Sequence, residues 1–397
     1  MKDLYHPSFD DTAIAFEYKS DAQLRKANFI FSLVNNPTIS KLATGSLKLA
    51  INLNLPIEAI IKATAFDHFC GGISIEDCDD EIANLSAYGV GTILDYSVEG
   101  EATEVGFDAV MEETIRTIEK ASKNPKGIPF SVFKVTGLAS FDLLEKIQAQ
   151  ASLTEEEKGS YERVKARVNS ICKKAHELNV RVLVDAEETW IQDTIDSLTY
   201  EMMRLYNQKS AIVFNTYQLY RTASLQNLKD AYAEALNHGY FVGAKLVRGA
   251  YMEKERDRAL EKGYPNPIQP NKTASDKAYN DALSFSIQHL DRIHFMCGSH
   301  NEESNYLLVS LMKDLQINPS DDRIWFAQLY GMSDNISFNL AKSHFNVAKY
   351  VPYGPVKAVM PYLLRRAAEN TSVAGQSSRE LVLIRKEIKR RREVKRG

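Results

Sequence analysis

Cysteine is scarce in this 397-residue sequence: Cys70, Cys78, Cys172 and Cys297 stand far apart with no C-x-x-C pair. That spacing excludes a zinc ribbon and a disulfide framework, gives no metal site to expect, and points to a reducing compartment. Long apolar runs are absent too. No window approaches the roughly 18 apolar residues of a membrane span, and the N-terminal MKDLYHPSFDD has no apolar core of signal-peptide length. The expectation is a cytoplasmic chain that does not cross a membrane. Nor does one sign of charge dominate: a net charge of −3 gives no general reason to expect a nucleic-acid partner. What is present, 44% hydrophobic and 25% charged residues, describes a globular chain able to bury a large core.

Eight short β-rich runs recur along the chain with amphipathic stretches between them: 90–97, 130–136, 181–187, 211–218, 241–249, 294–301, 324–331 and 349–354. Each is nearly continuously apolar and turns polar at its C-terminal end, the pattern of parallel strands covered on both faces. The intervening SLQNLKDAYAEALNHG reads as a helix closed by a C-cap glycine, Gly239. Eight strand–helix units predict a (βα)8 TIM barrel, in which the chemistry sits at the C-terminal strand ends. Residues 1–88 do not fit the repeat and read as a helical N-terminal arm. The barrel then occupies 89–376, with a charged helical insertion at about 140–176, and 377–397 form a basic C-terminal tail.

The strand ends carry Asp95, Lys134, Asp185, Glu187, Gln218, Lys245, Arg248, Tyr251, His300, Gln328 and Tyr350. Singly, each has a structural reading. Lys134 and Asp185 would make an ion pair across the mouth, His300 a hydrogen-bonded structural histidine, and Gln218 a tie from strand to loop. Together they describe a mouth polar enough to need a ligand to offset its desolvation. After the eighth run, VKAVMPYLLRRAAEN reads as a helix with Tyr362, Arg365, Arg366 and Glu369 along one face. Two adjacent guanidinium groups repel each other and call for an anion, and their stems let both forks converge on one carboxylate. A surface helix with i,i+4 ion pairs would show the same letters, but a helix directly after the last strand can fold over the barrel mouth.

KLVRGAY (Lys245–Tyr251), VDAE (Val184–Glu187), TYQLY (Thr216–Tyr220) and YLLRRAAEN (Tyr362–Asn370) resemble the proline dehydrogenases, in order from about residue 90 to 370. The resemblance implies a distorted barrel that binds FAD, with the eighth helix over its mouth. It assigns Arg365 and Arg366 to the carboxylate of L-proline, with Lys134 as a third cation and Glu369 and Tyr362 on the same helix face. It makes Asp185 the active-site aspartate, paired to Lys134, and places Lys245 beside the reacting part of the flavin. Tyr251 and Leu246 become walls around the ring. Tyr350 takes the place of an aromatic near ring carbon 4, where hydroxyproline-preferring relatives have a smaller polar residue. Ala186, Gln218, Val247, Arg248, Gly249, Ala250, Ser299 and His300 fall at FAD contacts. One departure stands out: many bacterial members have arginine where this chain has Lys245 and lysine where it has Arg248. These residues are three apart, so an ideal strand sends them to opposite faces.

The implied reaction is oxidation of L-proline to 1-pyrroline-5-carboxylate by hydride transfer to FAD, the first step of proline catabolism, with a membrane quinone as acceptor. No fused aldehyde dehydrogenase pattern follows Asn370, which suggests a monofunctional enzyme. In the tail, residues 379–397 hold nine Lys/Arg against three Glu. With Leu381, Ile384 and Ile388 at helical spacing, the tail would lie peripherally on the inner face of an anionic membrane, or else be a solvated basic segment. Competing readings are a trans-4-hydroxy-L-proline dehydrogenase, a Schiff-base aldolase using Lys134 or Lys245, a flavin barrel for a folate-type substrate, and a nucleic-acid binder using the tail.

Overall fold

The computed structural model describes residues 6–34, 62–97, 102–372 and 376–396. The arm starts with α1 (Thr12–Ala15), capped by Asp11, whose carboxylate accepts from the Ala13 and Ile14 amides, followed by α2 (Asp21–Val34). Helix α3 (Asp79–Ala87) leads into the barrel.

The eight strands are β1 (Val90–Tyr96), β2 (Phe130–Phe133), β3 (Arg181–Val184), β4 (Val213–Gln218), β5 (Val242–Val247), β6 (Ile293–Gly298), β7 (Ile324–Leu329) and β8 (Val347–Tyr353). They pair in parallel and in chain order, and β8 closes on β1. Inward side chains such as Ile93, Phe130, Leu183, Phe214 and Met296 fill the barrel interior, while outward ones pack under the helices. Burial on both faces is why the strands read as continuous apolar runs.

The outer helices are α4 (Glu104–Lys123), α5 (Phe141–Gln148), α6 (Glu155–Glu177), α7 (Thr189–Tyr206), α8 (Ser224–His238), α9 (Met252–Lys262), α10 (Lys272–Gln288), α11 (Glu302–Asp314) and α12 (Asp334–Lys342). Gly239 caps α8 at φ +76, as its position predicts. The stretch expected as an insertion contains the helix that links β2 to β3 in the barrel repeat. This is α6, which starts with a Thr154–Glu157 capping box and buries Val164, Val168, Ile171 and Cys172. The additional element is the shorter α5.

Helix α13 (Val356–Ser372) follows β8, and α14 (Gln376–Val394) ends the described chain. Here the tail departs from expectation. Leu381 and Ile384 are buried in one apolar cluster with Leu24, Phe31 and Met360, and Ile388 packs against it. Arg391 donates to the Phe16 and Lys19 carbonyls at 2.7 and 2.8 Å and lies 3.0 Å from Asp21. The apolar face assigned to a bilayer is covered by the N-terminal arm, because an amphipathic helix reaches the nearest apolar surface of its own chain first.

Candidate active site

At the open ends of β3, β5 and β8 three side chains converge. The Asp185 amide extends the β2–β3 ladder by donating to Phe133 O at 3.0 Å, which fixes the carboxylate at the rim. Lys245 forms an ion pair with Asp185 and donates to the Tyr350 hydroxyl at 2.7 Å, with Nζ 4.7 Å from the ring centroid. The Tyr350 hydroxyl also lies 3.3 Å from Asp185 Oδ1. Burial, and then the Asp185 charge, push the Tyr350 phenol well above its usual range, so it stays protonated. The expected partner of Asp185 was Lys134, and the structure gives it Lys245. Lys134 directly follows β2, the neighbour of β3, while Lys245 lies within β5, one strand beyond β4, so proximity along the sheet does not choose between them.

The alternation of β5 settles the neighbouring residues. Lys245 faces into the barrel, so Leu246 faces out. Leu246 pairs in register with Tyr217 and Cys297, whose polar atoms meet Tyr200 of α7 and Tyr279 of α10, and it is fully buried in the layer under the helices. Leu246 is therefore not a wall of the mouth. The resemblance carries over its residue type, whereas the period-2 geometry of the strand decides its face. Arg248 sits past the strand end, three residues from Lys245, and turns to the outer rim. Its guanidinium donates to Asp276 at 2.7 Å, Ser299 at 2.9 Å and Ser304 at 2.9 Å, and stacks 4.4 Å from the Tyr279 ring. The interior cation is thus Lys245 alone of the two.

Beyond β5 the backbone forms a ledge poor in side chains. Gly249, at φ +133, and Ala250 are exposed, and a Cβ on Gly249 would stand 2.3 Å from the Tyr220 ring. Val247 is partly exposed beside them. Gln218 is buried and donates to Glu187 O at 2.7 Å, and Ala186 lies half-buried between Asp185 and Glu187. At the end of β6, Ser299 O accepts from Gln328 at 3.1 Å, and His300 Nδ1 lies 2.8 Å from Ser333 Oγ.

Glu187 belongs with this group, and its signal was the i, i+2 spacing in VDAE, which turns Asp185 and Glu187 to one face. It is buried and accepts from the Thr136 amide at 3.1 Å and from the Thr136 hydroxyl. Burial pushes its carboxyl up to about 7, while the Thr136 bonds and Lys134 pull it down. Across the mouth, the Tyr251 hydroxyl is pushed up by burial and pulled back by Lys134 and Arg365. Tyr251 thus feels the charges of Lys134, after β2, and of Arg365, on α13, whose side chain is half-buried. Tyr362 is buried among residues that pack α13 on the arm. The side chains of Arg366 and Glu369 lie outside the described residues.

Comparison with known proteins bears on the family and the fold. Residues 78–379 match the proline dehydrogenase family. Proline dehydrogenase 1, mitochondrial, of Dictyostelium discoideum is 34% identical over 96% of this chain and 74% of its own length. The carbapenem antibiotics biosynthesis protein CarD of Pectobacterium carotovorum is 36% identical over 81% of this chain and 83% of its own. Among solved structures, proline utilization A from Bdellovibrio bacteriovorus, inactivated by N-propargylglycine, superposes with a TM-score of 0.72 at 20% identity, over 94% of this chain and 39% of that one. By the span and identity of these matches, the chain belongs to the proline dehydrogenase family of oxidoreductases.

Proposed function

We propose that the barrel mouth oxidises L-proline to 1-pyrroline-5-carboxylate, with FAD as the hydride acceptor. The observation that carries this reading is the Lys245–Asp185–Tyr350 group, with Lys245 and Tyr350 buried and Asp185 partly exposed, the strand of Lys245 running out into an exposed, side-chain-poor ledge at Gly249–Ala250. The ledge, flanked by Gln218, Val247, Ser299 and His300, fits a large planar cofactor whose edge needs backbone and hydroxyl partners. FAD, when bound, supplies the two-electron acceptor.

The chain's own residues bind and orient. Arg365 and Arg366, with Lys134, hold the substrate carboxylate, and the guanidinium fork suits that planar anion. Tyr251 and Tyr350 wall the ring, so that C5 is held in one direction. Lys245, fixed by Asp185, keeps a positive charge beside the reacting centre without moving during the reaction. As the C5–H bond breaks, the nitrogen lone pair forms the C=N bond and the amine proton leaves to solvent, so the amine must enter neutral. Tyr350 disfavours a 4-hydroxyl group, because its own hydroxyl is committed to Lys245 and Asp185. An anaerobic absorption titration tests all of this: L-proline bleaches a bound-flavin band and trans-4-hydroxy-L-proline does not. A protein that stays colourless after incubation with FAD overturns the reading.

A membrane quinone completes the turnover in this proposal. No described helix is long and apolar enough to cross a membrane. Support for peripheral contact comes from charge: Arg385, Lys389 and Arg392 of α14, Arg396 just past its end and Arg25 of α2, against the single carboxylate of Glu393, line a cleft of about 690 Å³. Sedimentation with vesicles containing anionic lipid should fall for Lys389→Glu/Arg392→Glu, and equal sedimentation of parent and variant excludes the contact.

A further inference from the structure

The turn after β7 is held from three separate segments. Gly331 O lies 3.1 Å from Nε2 of His68, in the arm. Met332 O accepts from Nζ of Lys349, on β8, at 2.7 Å. The Ser333 amide donates to the carboxylate of Glu380, on α14. Gly331 has φ +76, and Ser333 has φ +51, a left-handed conformation that a non-glycine residue adopts only where its surroundings impose it. Ser333 stands at the N-cap of α12, yet its side chain does not cap the helix. A capping serine normally turns its oxygen to the first-turn amides. Here that oxygen instead meets Nδ1 of His300 at 2.8 Å.

Glu380 is itself held by charge. Asp334, the next residue after Ser333, lies 2.9 Å from Lys349 and 2.9 Å from Lys19, and accepts from the Tyr18 hydroxyl at 2.8 Å. Lys19, Asp334, Lys349 and Glu380 are all buried. Burial, and then Asp334, push the Glu380 carboxyl up to about 7, against the Ser333 amide and the two lysines. A carboxylate in such a place is costly unless it has a specific bond to make. The bond it makes is to the amide of the residue whose hydroxyl orients His300.

We propose that Glu380, on the C-terminal helix and outside the barrel, is a positioning residue of the cofactor site: it fixes Ser333 in the left-handed conformation, and Ser333 fixes the ring of His300. The inference rests on the reading that FAD occupies the mouth beside His300. In it, α14 is part of the flavin site without touching the flavin. The Ser333 hydroxyl, which can either donate to Nδ1 or accept from it, fixes the plane of the His300 ring and so the direction its edge presents toward the cofactor.

The test compares the FAD dissociation constant and the bound-flavin absorption spectrum of the parent, Glu380→Ala, Glu380→Gln, Ser333→Ala and the double variant Glu380→Ala/Ser333→Ala, with thermal unfolding measured alongside. Loss of one buried bond in a line of two should weaken FAD about 10-fold in Glu380→Ala and in Ser333→Ala. The double variant should be no weaker than either single one, because both break the same line. Glu380→Gln should recover affinity to within about 2-fold, since its amide oxygen still accepts from Ser333. Parent-like FAD affinity and spectrum in Ser333→Ala overturns the proposal, even where Glu380→Ala fails to fold. Multiplying effects in the double variant overturn it as well, leaving Glu380 a purely structural group. A parent protein that takes up no FAD overturns both this and the reading beneath it, whereas a flavin-loaded parent with indifferent variants overturns this inference alone.

Discussion

Two ionic clusters lie at opposite sides of β8, one built on Tyr350 and the other on Lys349, adjacent residues that face opposite ways. The first, Lys245–Asp185–Tyr350, opens to the mouth, and the Asp185 side chain keeps 15% of its surface exposed. The second, Lys19–Asp334–Lys349 with Glu380, is closed, with Lys349 at 0% and Asp334 at 4%. The same pairing of lysine with carboxylate thus serves different ends. An open cluster can exchange water for a ligand, while a closed one has spent its charges on joining the arm, β8 and the C-terminal helix.

The sharpest way to break this comparison is to remove one lysine from each cluster. Lys349→Met should cost about 3–5 kcal/mol of unfolding free energy in urea, since it leaves Asp334 with one cation fewer in a dry site. Lys245→Met should keep most of the stability yet lower kcat/KM at least ~100-fold, because its cation is needed where charge changes during the reaction. Equal stability losses in the two variants would erase the distinction. A smaller effect is expected of Tyr350→Phe, which keeps the wall and removes the hydroxyl bonded to Lys245 and Asp185. A fall in kcat of about 10-fold with little change in unfolding would place that hydroxyl in the open cluster's function.

The smallest effect is a pH signature of the closed side. Glu380 is raised to about 7 in the folded protein, so the folded state holds its proton at pH values where the unfolded chain has released it. Its stabilising contribution is present in full below the ordinary glutamate pKa of about 4.3, and is lost as pH rises through about 7. The melting temperature of Glu380→Gln minus that of the parent should therefore grow between pH 5 and pH 8, by about 1–3 °C. A difference independent of pH would mean that Glu380 does not titrate in that range.

Much of the mouth was legible in the sequence. Strands buried on both faces must be apolar until they end, so the polar residues that follow each run mark the rim; Asp185 and His300 stand there, whereas Lys245 interrupts β5 from within and turns into the barrel. The opposite directions of Lys245 and Arg248 also followed from a period of two. That rule, applied one residue further, would have turned Leu246 away from the mouth, where family resemblance alone had placed it. The partner of Asp185 could not be read in the same way. Lys134 and Lys245 both lie within reach of β3, and the choice depends on how far each side chain enters the barrel.

The termini show the other limit. Leu381, Ile384 and Ile388 at helical spacing state that one face of α14 must leave water, and nothing in that spacing says whether lipid or protein receives it. The arm does, through residues more than 340 positions earlier, such as Leu24 and Phe31. Sequence by itself determined the repeat, the rim and the amphipathic faces, because these follow from the local periods of strand and helix. Only the tertiary structure decided which faces meet, which lysine pairs with Asp185, and that a glutamate near the chain's end reaches the turn behind His300. Those outcomes depend on distances between segments remote in sequence, and no local period encodes them.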